Sequence, residues 1–114
     1  MAYEVNGTTV ATNANGYLEN LEDWSEDLAK VIAAEEGIEL TDKSWDVINY
    51  LRDEYFNNNE NQPNERHMVK HFKKIWTDLD KVDTKALYVL FPRGPAKEAG
   101  KIAGLPETRR KGGY

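Results

Sequence analysis

The sequence predicts a mainly α protein of the α+β kind: a small helical bundle with an N-terminal β-hairpin and a flexible C-terminal arm. Three observations carry this. An Asn6-Gly7 pair sits between β-prone residues. Three later segments place apolar residues at helical spacing. Past Ala99 no amphipathic period survives, and residues 100–114 hold four glycines, one proline and four cations. Such a stretch has little to bury and is expected to reach outward.

Tyr3 to Val10 reads as a hairpin, because Asn-Gly supplies the two positive φ angles of a type I′ turn. A loop follows at 13–16, and Tyr17-Leu18 add a few extended residues. The first helix is expected to start near Asn20 and stop before Gly37, with Leu21, Trp24, Leu28, Val31 and Ile32 on one face. Glu22, Asp23, Glu26 and Asp27 load its N-terminal end with the sign that the helix dipole favours.

Thr41 is a good N-cap for the second helix, and Leu40 can staple against Trp45. Position N3 is Ser44, so the full capping box is not expected. Trp45, Ile48, Leu51 and Tyr55 make the buried stripe, and Trp45 is expected to anchor the core. Asn57-Asn58-Asn59 end the helix, and a polar loop runs to Pro63. The third helix is expected over about 64–80, with Val69, Phe72, Trp76 and Leu79 as its stripe and Lys70, Lys73 and Lys74 outward. A short fourth helix, capped by Thr84, is apolar nearly all round, which predicts central burial. Pro92 stops it, and Pro95 is placed to open one more turn. The expected division is a body, 1–100, and a mobile arm, 101–114.

The totals bound the function. The 114 residues make one domain with a real core. No run approaches the ~18 apolar residues of a membrane span. The start has no signal pattern. Cysteine is absent, which removes a disulfide framework, a thiol nucleophile and a thiolate metal site. The expected address is cytoplasmic and the expected state a monomer. From Lys97 onward five cations face two anions, net +3, on a chain of net −5. A cationic arm on an acidic body either folds back or meets an acidic or phosphate-bearing partner.

Candidate chemistry is sparse. His67 and His71 stand at i, i+4, a spacing that can share a metal. Met68 follows the first His, where a zinc-protease helix needs Glu, and no third ligand is near. The pair reads as two exposed histidines, with no metal and no cofactor expected. The second and third helices with their lysines resemble a helix-turn-helix only loosely, since the loop is longer than that motif's turn. There is no phosphate loop, no Gly-x-Ser-x-Gly and no nucleophile with a paired base. The chain by itself is therefore expected not to be an enzyme.

Several stretches, in order, resemble the DsrC/TusE family. They are Gly16-Tyr17-Leu18 with Asp23-Trp24, and Ile38-Glu39-Leu40-Thr41-Asp42 leading to Trp45. Val47-Ile48-Asn49-Tyr50-Leu51-Arg52 follows, then Leu90-Phe91-Pro92 with Gly94-Pro95-Ala96-Lys97, then Lys101-Ile102-Ala103-Gly104-Leu105-Pro106. The resemblance covers nearly the whole chain. It implies the hairpin, the helical bundle and the arm. It also implies a setting: DsrC-like members serve dissimilatory sulfite reductase, the arm reaching the siroheme. TusE-like members pass persulfide sulfur toward 2-thiouridine in transfer RNA.

The departures are as informative. The family's penultimate cysteine corresponds to Gly113, or by spacing to Lys111, and the second arm cysteine of the DsrC branch to Gly100. The ending after Pro106 is rewritten, and Ser44 stands where many relatives have His. A persulfide needs a thiolate sulfur. The resemblance therefore implies a sulfur-trafficking protein that binds sulfite reductase or relay sulfurtransferases as a regulator or scaffold rather than as a sulfur carrier. Its expected contacts are Lys101, Ile102, Gly104, Leu105, Pro106, Arg109, Arg110, Lys111 and Tyr114. The alternative is a helix-turn-helix-like regulator binding nucleic acid through Lys70, Lys73, Lys74 and the arm cations. A third is a carrier engineered to lack both cysteines.

Overall fold

The computed structural model describes residues 2–107. Strands β1 (Ala2–Val5) and β2 (Thr8–Ala11) pair antiparallel. Asn6 (φ 51°) and Gly7 (φ 80°) form the expected turn. Register sets Tyr3 opposite Val10, and both are buried where the hairpin lies on the first helix. Thr12 bridges Leu18, so the expected extended residues extend this edge.

The predicted first helix is two pieces. A 3-10 turn, Leu21–Asp23, is capped by Asn20, and Trp24 then leaves in extended conformation. Helix α1 (Glu26–Glu35) starts afresh because Ser25 accepts the Leu28 N–H at 3.1 Å. A second capping side chain five residues after the first breaks what looked like one period.

Helix α2 (Asp42–Asn57) begins at Thr41 as expected. The missing box is in fact present: Thr41 Oγ1 accepts the Ser44 N–H, and Ser44 Oγ accepts the Thr41 N–H at 3.0 Å. Serine does the work usually done by Glu or Gln. The buried positions are Ser44, Val47, Ile48 and Leu51. That face is rotated from the predicted stripe and leaves Trp45 and Tyr55 only partly buried.

Helix α3 (Glu65–Phe72), capped by Asn64, is half the predicted length. Beyond it the chain turns so that Trp76, 3% exposed, stacks on Phe72 at 4.3 Å and donates to Asp46 Oδ2 at 2.9 Å. The Asp and Thr residues that follow favour turns over helix. The core is therefore anchored by Trp76, and the expectation for Trp45 is corrected. Helix α4 (Thr84–Leu90) is capped by Asp83 rather than Thr84. It is also peripheral. Leu87 is buried, but Val89 is 79% exposed, so the expected central burial is not found.

The central helix is α5 (Pro95–Ile102), with Pro95 at its first turn. It buries Pro95, Ala96, Glu98, Ala99, Gly100 and Ile102 and packs on α1, α2 and α4. Small residues let neighbouring helices approach closely, and they give a weak periodic signal in sequence. None of the described helices is long and apolar enough to cross a membrane.

Candidate functional site

The C-terminal segment was expected to leave the body at Lys101. It does not. Helix α5 ends in a Schellman turn: Leu105 N–H donates to Gly100 O at 3.0 Å and Gly104 N–H to Lys101 O at 3.1 Å, with Gly104 at φ 75°. Ile102 and Leu105 are buried in the core at 0% and 1% exposure. These two, proposed from sequence as partner contacts, are packing residues.

Side chains from distant segments fasten this root. Trp24 Nε1 donates to Ile102 O at 2.9 Å, and Arg52 Nη1 to Ala103 O at 2.7 Å. These are helix-end carbonyls that would otherwise lack partners. The Arg52 guanidinium lies over the Trp24 ring, 3.8 Å from its centroid, so one cation serves a carbonyl, a ring and the negative end of α5. Gln62 Nε2 donates to Pro106 O at 2.9 Å, and Asn15 Nδ2 to the Glu107 carboxylate at 3.1 Å. The path of residues 102–107 is thereby fixed. The expected contacts Arg109, Arg110, Lys111 and Tyr114, and the cysteine-equivalent Gly113, lie outside the described residues.

Beside the root is a cleft of about 320 Å³ lined by Asn15, Tyr17, Glu36, Arg93, Lys97, Glu98, Lys101 and Glu107. Lys101 Nζ pairs with Glu36 Oε1 at 2.7 Å, and Arg93 takes the other oxygen of Glu36. Lys101 also lies over the loop at Gly16, where an added Cβ would come within 2.7 Å of its Cε. Lys101 therefore faces inward. Glu98, 4% exposed, accepts the Arg93 N–H at 3.0 Å. Burial pushes its carboxyl above the ordinary value, against the pull of that N–H. The cleft carries as many carboxylates as cations and suits a peptide of mixed charge better than a strong anion.

Gly100 lies on the buried face of α5, and a Cβ built there meets nothing within 4 Å. The backbone position thus admits a side chain such as cysteine; this chain simply has none. Ser44, at the other departure from the resemblance, is consumed by the α2 cap.

A second cleft, of about 370 Å³, lies between α2 and α3. It is lined by Tyr50, Glu54, Asn61, Pro63, His67, Lys70, His71 and Lys74. His71 stacks on Tyr50 with centroids 4.0 Å apart. Burial, with Glu54 beside it, pushes the Tyr50 phenol up to about 12. The connection between α2 and α3 spans residues 58–64, not the tight turn of a helix-turn-helix. Lys73 does not line this cleft.

A family model described as DsrC like protein matches residues 4–110. Sulfurtransferase TusE of Sodalis glossinidius is 46% identical over 104 residues, 91% of this chain and 94% of that protein. Sulfurtransferase TusE of Yersinia pseudotuberculosis is 45% identical with the same coverage. Among solved structures, the oxidized gamma-subunit of the dissimilatory sulfite reductase (DsrC) from Archaeoglobus fulgidus superposes with a TM-score of 0.86. It is 36% identical, and the match covers 96% of this chain and 98% of that one. Allochromatium vinosum DsrC gives 0.83 at 42% identity with the same coverage. These relatives overturn the expectation that the chain is not an enzyme, since proteins this similar bear the name sulfurtransferase. The fold, the root motif and the extent of the match agree: this chain belongs to the DsrC/TusE family of sulfur-relay proteins.

Proposed function

We propose that the chain takes part in sulfur transfer as a docking component. It binds a relay sulfurtransferase or a dissimilatory sulfite reductase through its C-terminal residues, and the reactive sulfur resides on the partner's thiol. The observation that carries this reading is the fastening of residues 102–107 by Trp24, Arg52, Gln62 and Asn15. A fixed root holds the point at which the described chain ends in one place, which lowers the ordering cost of docking. The sequence beyond it supplies Arg109, Arg110 and Lys111 as charge complementarity and Tyr114 as an aromatic anchor. No cysteine is present to accept sulfur, so the chain acts on the transfer as a scaffold or regulator of a thiol-bearing partner.

The test is a mixture of the chain, a persulfide donor and each candidate partner, read by intact mass and by co-elution. The added sulfur is expected on the partner alone, with a complex between the two. A sulfur adduct on this chain contradicts the proposal, as does the absence of any complex with both partner classes.

A further inference from the structure

The α2–α3 cleft has a net positive lining, two lysines to one glutamate, in an otherwise acidic chain. Lys70, on α3, and Lys74, in the turn just past its end, line it, with His67 and His71 also on α3. Among the described residues neither lysine forms an ion pair; the pairs present use Lys43, Lys81, Arg93 and Lys101. The one carboxylate in the lining, Glu54, is already engaged by Asn58 Nδ2 at 2.8 Å and by the Tyr50 hydroxyl. His71 is held flat against Tyr50, which fixes its ring and limits the directions in which its nitrogens can point. Asn61, from the loop that closes the cleft, adds an amide donor.

We propose that this cleft binds a small phosphate-class dianion, inorganic phosphate or a phosphomonoester, with Lys70 and Lys74 as its charge partners and His67, His71 and Asn61 as hydrogen-bond donors. Two cations with convergent donors in a concave site are what a tetrahedral oxyanion needs. Charge decides against a longer polyanion. The chain carries net −5, so a nucleic-acid backbone running out of the cleft meets an acidic surface, while a small anion is held within a Debye length of the lysines. The site is separate from the α5 root, and its occupancy does not depend on the sulfur-transfer reading.

The experiment is a titration of the full chain with inorganic phosphate at constant ionic strength, followed by the NMR signals of the His67 and His71 rings. Chloride serves as the matched control. Saturable shifts with phosphate and none with chloride are expected. The double variant Lys70→Gln/Lys74→Gln should weaken binding at least about tenfold, through loss of two charge-assisted contacts. Lys73→Gln, at the C-cap of α3 and outside the cleft, should change it less than about twofold. All three positions are exposed, so the variants keep the fold, which a thermal melt checks. Shifts that never saturate, equal shifts with chloride, or equal effects of the Lys73 and Lys70/Lys74 changes overturn the proposal. So does a single-stranded oligoribonucleotide that binds far more tightly than phosphate and depends on Lys73, since that is a nucleic-acid surface.

Discussion

The Trp24 ring occupies the space that a Cβ on Gly104 would need: Trp24 Cδ1 lies 2.3 Å from that position. Gly104 is also at φ 75°, where an L side chain is strained. Gly104→Ala should therefore destabilise the protein by about 2–4 kcal/mol, combining the left-handed cost with overpacking against the indole. Gly100→Ala is the matched control. It is helical and its Cβ meets nothing within 4 Å, so it should stabilise by about 0.5–1 kcal/mol. Urea unfolding of both variants measures the difference, and equal effects would mean the Trp24–Gly104 contact is not made.

Truncation after Gly100 should collapse the melt. It removes Ile102 and Leu105 from the core and strips the carbonyls that take the Trp24 and Arg52 donors. Two fully buried aliphatic side chains at about 1.5–3 kcal/mol each, plus the lost hydrogen bonds, approach the whole stability of a small domain. A melting temperature within a few degrees of the full chain, on the scale of a ~1 kcal/mol change, would return these residues to a detachable arm.

Trp76→Ala should cost roughly 3–5 kcal/mol, because it empties a buried, stacked site and leaves Asp46 without its indole donor. Trp45→Ala should cost only about 1–2 kcal/mol, since Trp45 is partly exposed at the start of α2. Denaturant midpoints of the two variants rank them directly.

Stability should fall as pH rises above the ordinary glutamate value of 4.5, through the range over which buried Glu98 loses its proton. Its folded-state pKa is raised, so the folded protein holds the proton to higher pH than the unfolded chain does. Glu98→Gln keeps an acceptor for the Arg93 N–H but cannot ionise. The variant should be the more stable at neutral pH, and the gap should close once pH falls below the ordinary value. Paired unfolding curves across that range check the sign.

Local signals were legible where one side chain decides one turn. Asn6-Gly7 gives the hairpin, Thr41 starts α2, and Pro95 opens α5. Elsewhere competing signals mask the structure. Ser25 restarts a helix inside an apolar period that seemed continuous. Ala96, Ala99, Gly100 and Ala103 bury α5 at the centre while contributing little hydrophobicity to a pattern. At 104–106 the Gly-Leu-Pro sequence reads as the beginning of a tail. It is equally the signature of a helix stop, with Gly at C′, an apolar residue next and Pro after, and that reading would have kept Leu105 inside. No local pattern could place Arg52 between Trp24 and Ala103, because that contact joins residues far apart in sequence. The family resemblance drew attention to this segment without revealing that its first residues are core.

We propose that the fixed root at 102–107 presents the residues beyond it to a sulfur-transfer partner. The most direct measurement compares the full chain with residues 1–107 for binding to a relay sulfurtransferase and to a dissimilatory sulfite reductase, with thermal melts of both forms. The 1–107 form should melt like the full chain, since 108–114 offer little apolar surface. It should lose binding by about a hundredfold or more if Tyr114 anchors the partner and the three cations complement it. Undiminished binding by 1–107 would put the interface on the helical body and overturn the proposed docking role.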